Sequence, residues 1–172
     1  MKTKLTSADI EYEVARWFGW RQHLIVPNVS WGLGLHECDL LICSKAGYCT
    51  EVEIKTSKSD LIKDKEKSHG HKSKKIKYLY FAIPENLEKP DVIEHIPAHA
   101  GILVVFDGKY NLGTKELRPP VKNSECRALT EREQYEMARL GALRMWDLKH
   151  TIMGNKNTIK HLREELTKAN KE

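Results

Sequence analysis

A chain of 172 residues can bury one sizeable core but is too short for two large domains. Its 40% hydrophobic and 31% charged residues exclude disordered and fibrous classes. The longest apolar run, Ile102 to Phe106, is far too short for a bilayer, and the first ten residues lack an apolar signal core, so a cytoplasmic protein is expected. Net charge +5 suits a polyanionic partner without requiring one.

In chain order, Thr6-Ser7-Ala8-Asp9 offers N-caps for a first helix with Ile10, Val14, Trp17 and Phe18 as its apolar face and Gly19 as its end. Glu11 and Glu13 flank that stripe on opposite sides. His23 to Val29 (HLIVPNV) reads as a first strand, with Pro27 marking an edge or a bulge. Trp31-Gly32-Leu33-Gly34 reads as a flexible connection that could approach nucleic acid.

Glu37 to Ser44 (ECDLLICS) and Tyr48 to Lys55 (YCTEVEIK) are two short strands rich in aliphatic and β-branched residues. Lys45-Ala46-Gly47 joins them as a three-residue hairpin loop with Gly47 left-handed. This register pairs Ser44 with Tyr48, sets Asp39 opposite Glu53, and sets Glu37 opposite Lys55. Glu51, Glu53 and Lys55 then share one face while Val52 and Ile54 take the other. Two opposed carboxylates repel unless a cation or a proton offsets them. At roughly 5 Å between β-carbons they can share one divalent metal ion, with Lys55 beside it. A one-residue slip would destroy the constellation, so the inference depends on the turn. The plainer reading is an exposed hairpin face carrying a salt bridge.

Lysines concentrate directly after this strand: Lys58, Lys63, Lys65, Lys67, Lys72, Lys74, Lys75 and Lys77, with His69 and His71, diluted by Asp60, Asp64 and Glu66. A charge run is commonly a solvated face. Beside a candidate metal site, however, it meets the need for phosphate-backbone contact, and Lys58, Lys63, Lys65, Lys72, Lys74 and Lys75 are the candidates.

A helix is expected from about Ser57 to His69, then a hydrophobic strand from Tyr78 to Ile83, a short helix before Ile96, and a second buried strand from Ala100 to Phe106. This order predicts an α/β fold, a three-layer sandwich around a central mixed sheet. Asp107-Gly108-Lys109 and Leu112-Gly113-Thr114 read as turns, and Pro119-Pro120 closes the compact region, so the core spans 1–122 and a helical extension 123–172. Thr130-x-x-Glu133 is a capping box. A heptad then runs through Ala138, Met145, Ile152, Ile159 and Leu166 at one position and Leu148, Leu162 and Ala169 at the other, with Gly141 and Asn155 in that second row. Gly154-Asn155 is a candidate interruption. Two readings stay open: a coiled coil making a homodimer through 130–169, or a helix packed back on the core with a frayed tail.

Other chemistries find little support. Cys38, Cys43, Cys49 and Cys126 contain no CxxC pair, and alternation sends Cys38 away from Cys43, against a zinc site. Cys43 and Cys49 are expected as cross-strand thiols. Gly32-x-Gly34 lacks the rest of a dinucleotide loop, no Gly-x-Ser-x-Gly elbow or HExxH occurs, and His36, near the hairpin, could touch substrate but as a lone histidine is more often structural.

Asp39 followed by Glu53-Ile54-Lys55 resembles the core motif of the PD-(D/E)xK nuclease superfamily, with Cys38 where a proline often stands. TSKSDLIKDK followed by KYLYFAIP resembles more narrowly the MmcB-like branch, associated with DNA repair, through Ser57, Asp60, Asp64 and Lys65. The order Glu11-x-Glu13-aliphatic resembles archaeal Holliday-junction resolvases and favours Glu11, with Glu13 as alternate. The likeness covers about residues 5–106. It implies a restriction-endonuclease-like fold and a DNA phosphodiester hydrolase of repair, recombination or processing. Asp39, Glu53, the Ile54 carbonyl and Glu11 would hold Mg²⁺ or Mn²⁺, and Lys55 would stabilise the transition state. The alternative is an inactive nuclease-fold module that binds nucleic acid, or an adaptor acting through its helical tail.

Overall fold

Thr6 Oγ1 accepts from the Asp9 backbone N–H, and the Asp9 carboxylate accepts from the Thr6 N–H. This reciprocal cap opens α1 (Ser7–Phe18), and Gly19 closes it with φ +77°. The computed structural model describes residues 4–30, 32–65 and 73–169. After α1 come β1 (Leu24–Val29), β2 (Cys38–Cys43), β3 (Cys49–Ile54), α2 (Lys58–Lys65) and β4 (Ile76–Pro84). A 3-10 turn (Glu85–Leu87), α3 (Pro90–Ile93), β5 (Gly101–Asp107), β6 (Leu112–Arg118) and α4 (Glu131–Ala169) complete the chain.

The six strands form one sheet in chain order. β3, β4 and β5 are parallel neighbours, joined by segments that carry α2 and α3; the remaining pairs are antiparallel. The fold is therefore α/β with a mixed sheet. β1 is an edge strand, where Pro27 costs no ladder bond that matters and Asn28 takes φ +50°.

Strand alternation divides the core. Leu40, Ile42, Val52, Ile54, Ala82, Leu103 and Val105 point to one face, where Ile10 and Val14 of α1 cover them. Leu79, Phe81, Ile83, Ile102 and Val104 point to the other, against Leu61 of α2 and Val92 of α3. A third cluster joins Val26, Leu41, Cys43 and Cys49 to Leu129, Met137 and Leu140, so the start of α4 is part of the body. The chain before it is also bonded in: the Asn123 side chain donates to the Ser73 and Ile76 carbonyls, and the Leu129 N–H donates to the Gly47 carbonyl. Past Leu140, Arg144 still donates to the Asn28 carbonyl at 2.8 Å, and from residue 146 onward every described residue of α4 is exposed.

Three expectations are corrected. Leu112-Gly113-Thr114 is not a turn but the start of β6, where a Cβ on Gly113 would lie 2.5 Å from the Phe106 ring. The glycine serves close packing across the β5–β6 pair. Leu33, in the supposedly flexible connection, is 3% exposed within the core; Trp31 lies outside the described residues. Gly154-Asn155 does not interrupt α4, which runs unbroken for 39 residues. The expected helix from Ser57 to His69 is seen as Lys58–Lys65, and 66–72 lie outside the described residues. Among the described residues no helix is long and apolar enough to cross a membrane.

Candidate active site

The hairpin fixes the site. Ser44 N–H donates to the Tyr48 carbonyl at 3.0 Å and Gly47 N–H to the Ser44 carbonyl at 2.8 Å. Gly47 has φ +80°, and a Cβ there would sit 3.1 Å from the Leu129 carbonyl oxygen, so both conformation and space demand glycine. The ladder pairs Cys43 with Cys49, Leu41 with Glu51 and Leu40 with Val52, the register deduced from the turn. Both cross-strand cysteines are buried free thiols.

Just beyond the last ladder pair, the Ile54 N–H donates to Asp39 Oδ2 at 2.7 Å. Asp39 is thereby tied to the Glu-x-Lys strand. On the α2 side of β3, Lys55 Nζ donates to Glu53 Oε2 at 2.7 Å, and the ammonium lies 6.0 Å from the Phe81 ring centroid. Lys55 is 7% exposed and Glu53 1%. The Lys55 backbone N–H donates to the Ala82 carbonyl, which anchors the strand end to β4.

Of the two helix acids, Glu11 is the one whose carboxyl feels the charge of Asp39. Burial, and then the charge of Asp39, raise its carboxyl above the ordinary glutamate range. Glu13 turns the other way: it takes two 2.7 Å bonds from Arg16 and one of 3.3 Å from Thr114 on β6. It joins the helix to the sheet edge, away from Asp39.

Glu51, which has no expected role in the site, meets His36, expected to be structural. Glu51 is fully buried, and its Oε1 lies 2.7 Å from His36 Nε2. The signal was the alternation itself, which puts Glu51 on the face of Glu53 and Lys55. Their combined field is felt at Cys38, whose thiol is pushed far up by burial, then by the charges of Glu51, Glu53, Asp39 and Glu37.

The donor set (carboxylates and a main-chain carbonyl) has the hard-oxygen chemistry of a Mg²⁺ or Mn²⁺ site. Burial, and after it the charge of Asp39, pushes both the Glu11 carboxyl and the Cys38 thiol upward. Yet among the described residues no three His, Cys, Asp or Glu side chains are grouped closely enough to hold a metal. The reason is visible in the bonding: Glu53 turns to the Lys55 ammonium and Asp39 commits one oxygen to Ile54. The donors suit a divalent ion in type alone, and such an ion would compete with Lys55 for Glu53.

The predicted lysine surface is only partly available. Lys75 is held between the Leu33 carbonyl and Glu133, the latter at 3.0 Å, which removes it from the proposed phosphate contacts. Lys58 bonds Asp91 at 2.7 Å across an exposed pair. Lys63 and Lys74 are exposed; Lys72 and the side chains of Lys65 and Asp64 lie outside the described residues. Ser57 accepts from the Asp60 N–H and so caps α2, and Asp60 points to solvent in its first turn.

No family model matches the chain, and no curated protein matches it. Among solved structures, a protein of unknown function from Silicibacter pomeroyi is similar, with 17% identity, a TM-score of 0.59, and coverage of 90% of this chain and 96% of that one. At that identity the likeness concerns the fold alone.

Proposed function

We propose that this chain is a metal-dependent nuclease of the PD-(D/E)xK type, hydrolysing DNA phosphodiester bonds on a three-layer, restriction-endonuclease-like sandwich. The observation that carries the reading is the bond from the Ile54 N–H to Asp39, which brings the isolated acid beside the Glu-x-Lys strand. Asp39, Glu53 and the Ile54 carbonyl, with Glu11, would hold Mg²⁺ or Mn²⁺. Such an ion, when bound, lowers the pKa of its water and neutralises charge growing on the phosphate. Lys55, 2.7 Å from Glu53, would set its side-chain nitrogen beside the phosphate oxygens and stabilise the charge of the transition state. The exposed Lys63 and Lys74 are suited to the backbone of a bound strand.

The second reading is a nuclease-fold module that binds without cutting, or an adaptor working through its tail. The long exposed apolar stripe of α4 favours it. One assay separates the two: the protein is incubated with duplex, single-stranded and branched DNA in Mg²⁺, Mn²⁺ or chelator. The nuclease reading expects metal-dependent cleavage that disappears in Asp39→Asn. DNA that is bound and left intact in every arm would decide for the module.

A further inference from the structure

Beyond Leu140 the long helix α4 runs another 29 residues, Gly141 to Ala169, and one face of that stretch is aliphatic. Met145, Leu148, Ile152, Ile159, Leu162 and Leu166 are exposed by between 43% (Ile152) and 63% (Leu166). From Met145 to Ala169 this stripe spans about 36 Å at roughly 1.5 Å per residue. It follows a strict seven-residue repeat, with Met145, Ile152, Ile159 and Leu166 in the a row and Leu148, Asn155, Leu162 and Ala169 in the d row. A projecting helix with such a seam is stabilised chiefly by packing that face.

We infer that the occupant is a second copy of this chain, paired parallel and in register as a two-stranded coiled coil over residues 145–169. Asn155 decides the orientation. In register it meets its own counterpart, and the two amides can bond each other inside the seam. In an antiparallel pair it would lie against an aliphatic residue of the a row, with a buried polar group and no matching partner. Flanking charge agrees. The e row is Lys149, Lys156 and Arg163, and antiparallel packing sets that cationic row against itself. The g row is Arg144, Thr151, Thr158 and Glu165, and parallel packing sets its first three against Lys149, Lys156 and Arg163, leaving one like-charge pair, Arg144 with Lys149. A parallel pair closes with two-fold symmetry and carries both bodies at one end of the rod. Such pairing is independent of any nuclease activity in the body.

Sedimentation equilibrium of the full chain at micromolar concentration should give twice the chain mass, and Ile152→Lys combined with Ile159→Lys should give the single mass. Both substituted side chains are exposed in the single chain, so the body should melt as before. Orientation is read by mixing Leu148→Cys with Leu166→Cys copies in a Cys126→Ser background and oxidising. Links of 148 to 148 and 166 to 166 are expected. A link of 148 to 166 would overturn the parallel assignment. A monomeric full chain overturns the pairing outright, and a monomer that adsorbs to anionic phospholipid vesicles would assign the stripe to a lipid surface instead.

Discussion

Along β3 and its end the interior face carries Glu51, Glu53 and Lys55, at most 7% exposed, while along one face of the outer part of α4 a stripe of six large aliphatic side chains stands in water. The two regions invert the ordinary rule in opposite senses. A buried charge costs several kcal/mol unless bonded, so three on one strand face must be offset by pairs or by a ligand. Exposed aliphatic groups cost far less singly, but a stripe of them at fixed spacing marks a contact surface. The sheet violation is local and electrostatic, which is how a site for charged chemistry is built. The helix violation is extended and apolar, which is how an assembly surface is built.

The largest effect should come from removing the buried ammonium. Lys55→Met strips the partner that Glu53 bonds at 2.7 Å and should destabilise the fold by about 3 kcal/mol or more at neutral pH, read from urea unfolding in chelator. Added Mn²⁺ should return part of that stability by binding the native state. A variant of wild-type stability would mean that β3 tolerates its charges without pairing. The opposite region is broken differently: deleting 146–172 removes no buried side chain among the described residues. At fixed low concentration the body's melting should be unchanged while the association disappears. A cut at 130 would be a worse experiment, because it strips Met137 and Leu140 from the core.

Next in size is the charge that surrounds the site. Neutralising Lys58, Lys63 and Lys65 together should flatten the salt dependence of duplex-DNA binding, by a log–log slope of roughly 0.9 for each phosphate left without its lysine. A slope that stays constant would return the lysine segment to an ordinary solvated face. The smallest effect is at Glu11. Its folded pKa is raised above the unfolded value, so the ionised carboxylate disfavours the native state at neutral pH. As pH falls through the raised folded pKa toward the ordinary glutamate value, that penalty disappears. Glu11→Gln should therefore stabilise the metal-free protein slightly at pH 7 and not in acid, by urea unfolding at both pH values. An equal effect at both would contradict a Glu11 carboxyl raised by burial and by the charge of Asp39.

Local chemistry made the hairpin legible. Gly47 sets the turn, the turn sets the register, and the register sets Asp39 against the Glu-x-Lys strand. The N-cap at Thr6 and the capping box at Thr130 were readable for the same reason, since each bond spans three residues. What escaped depends on distant partners. Gly113 looks like a turn until Phe106 is seen packed over it. Lys75 looks like a free cation until Glu133 arrives from α4, where Arg127, the Thr130 N–H and Lys75 together hold its carboxyl well below the usual range. Gly154 looks like a break, but one exposed glycine costs a helix only about 1 kcal/mol, and α4 carries it.

The central claim is that Asp39 and the Glu-x-Lys strand form a divalent-metal site. It is tested most directly by titrating Mn²⁺ into the wild-type chain and into Asp39→Asn by calorimetry. The substitution keeps an oxygen able to accept from the Ile54 N–H, so the fold should persist. The account predicts one saturable binding event in the wild type and its absence in the variant. Equal Mn²⁺ affinity in the two proteins, or none in either, would contradict it.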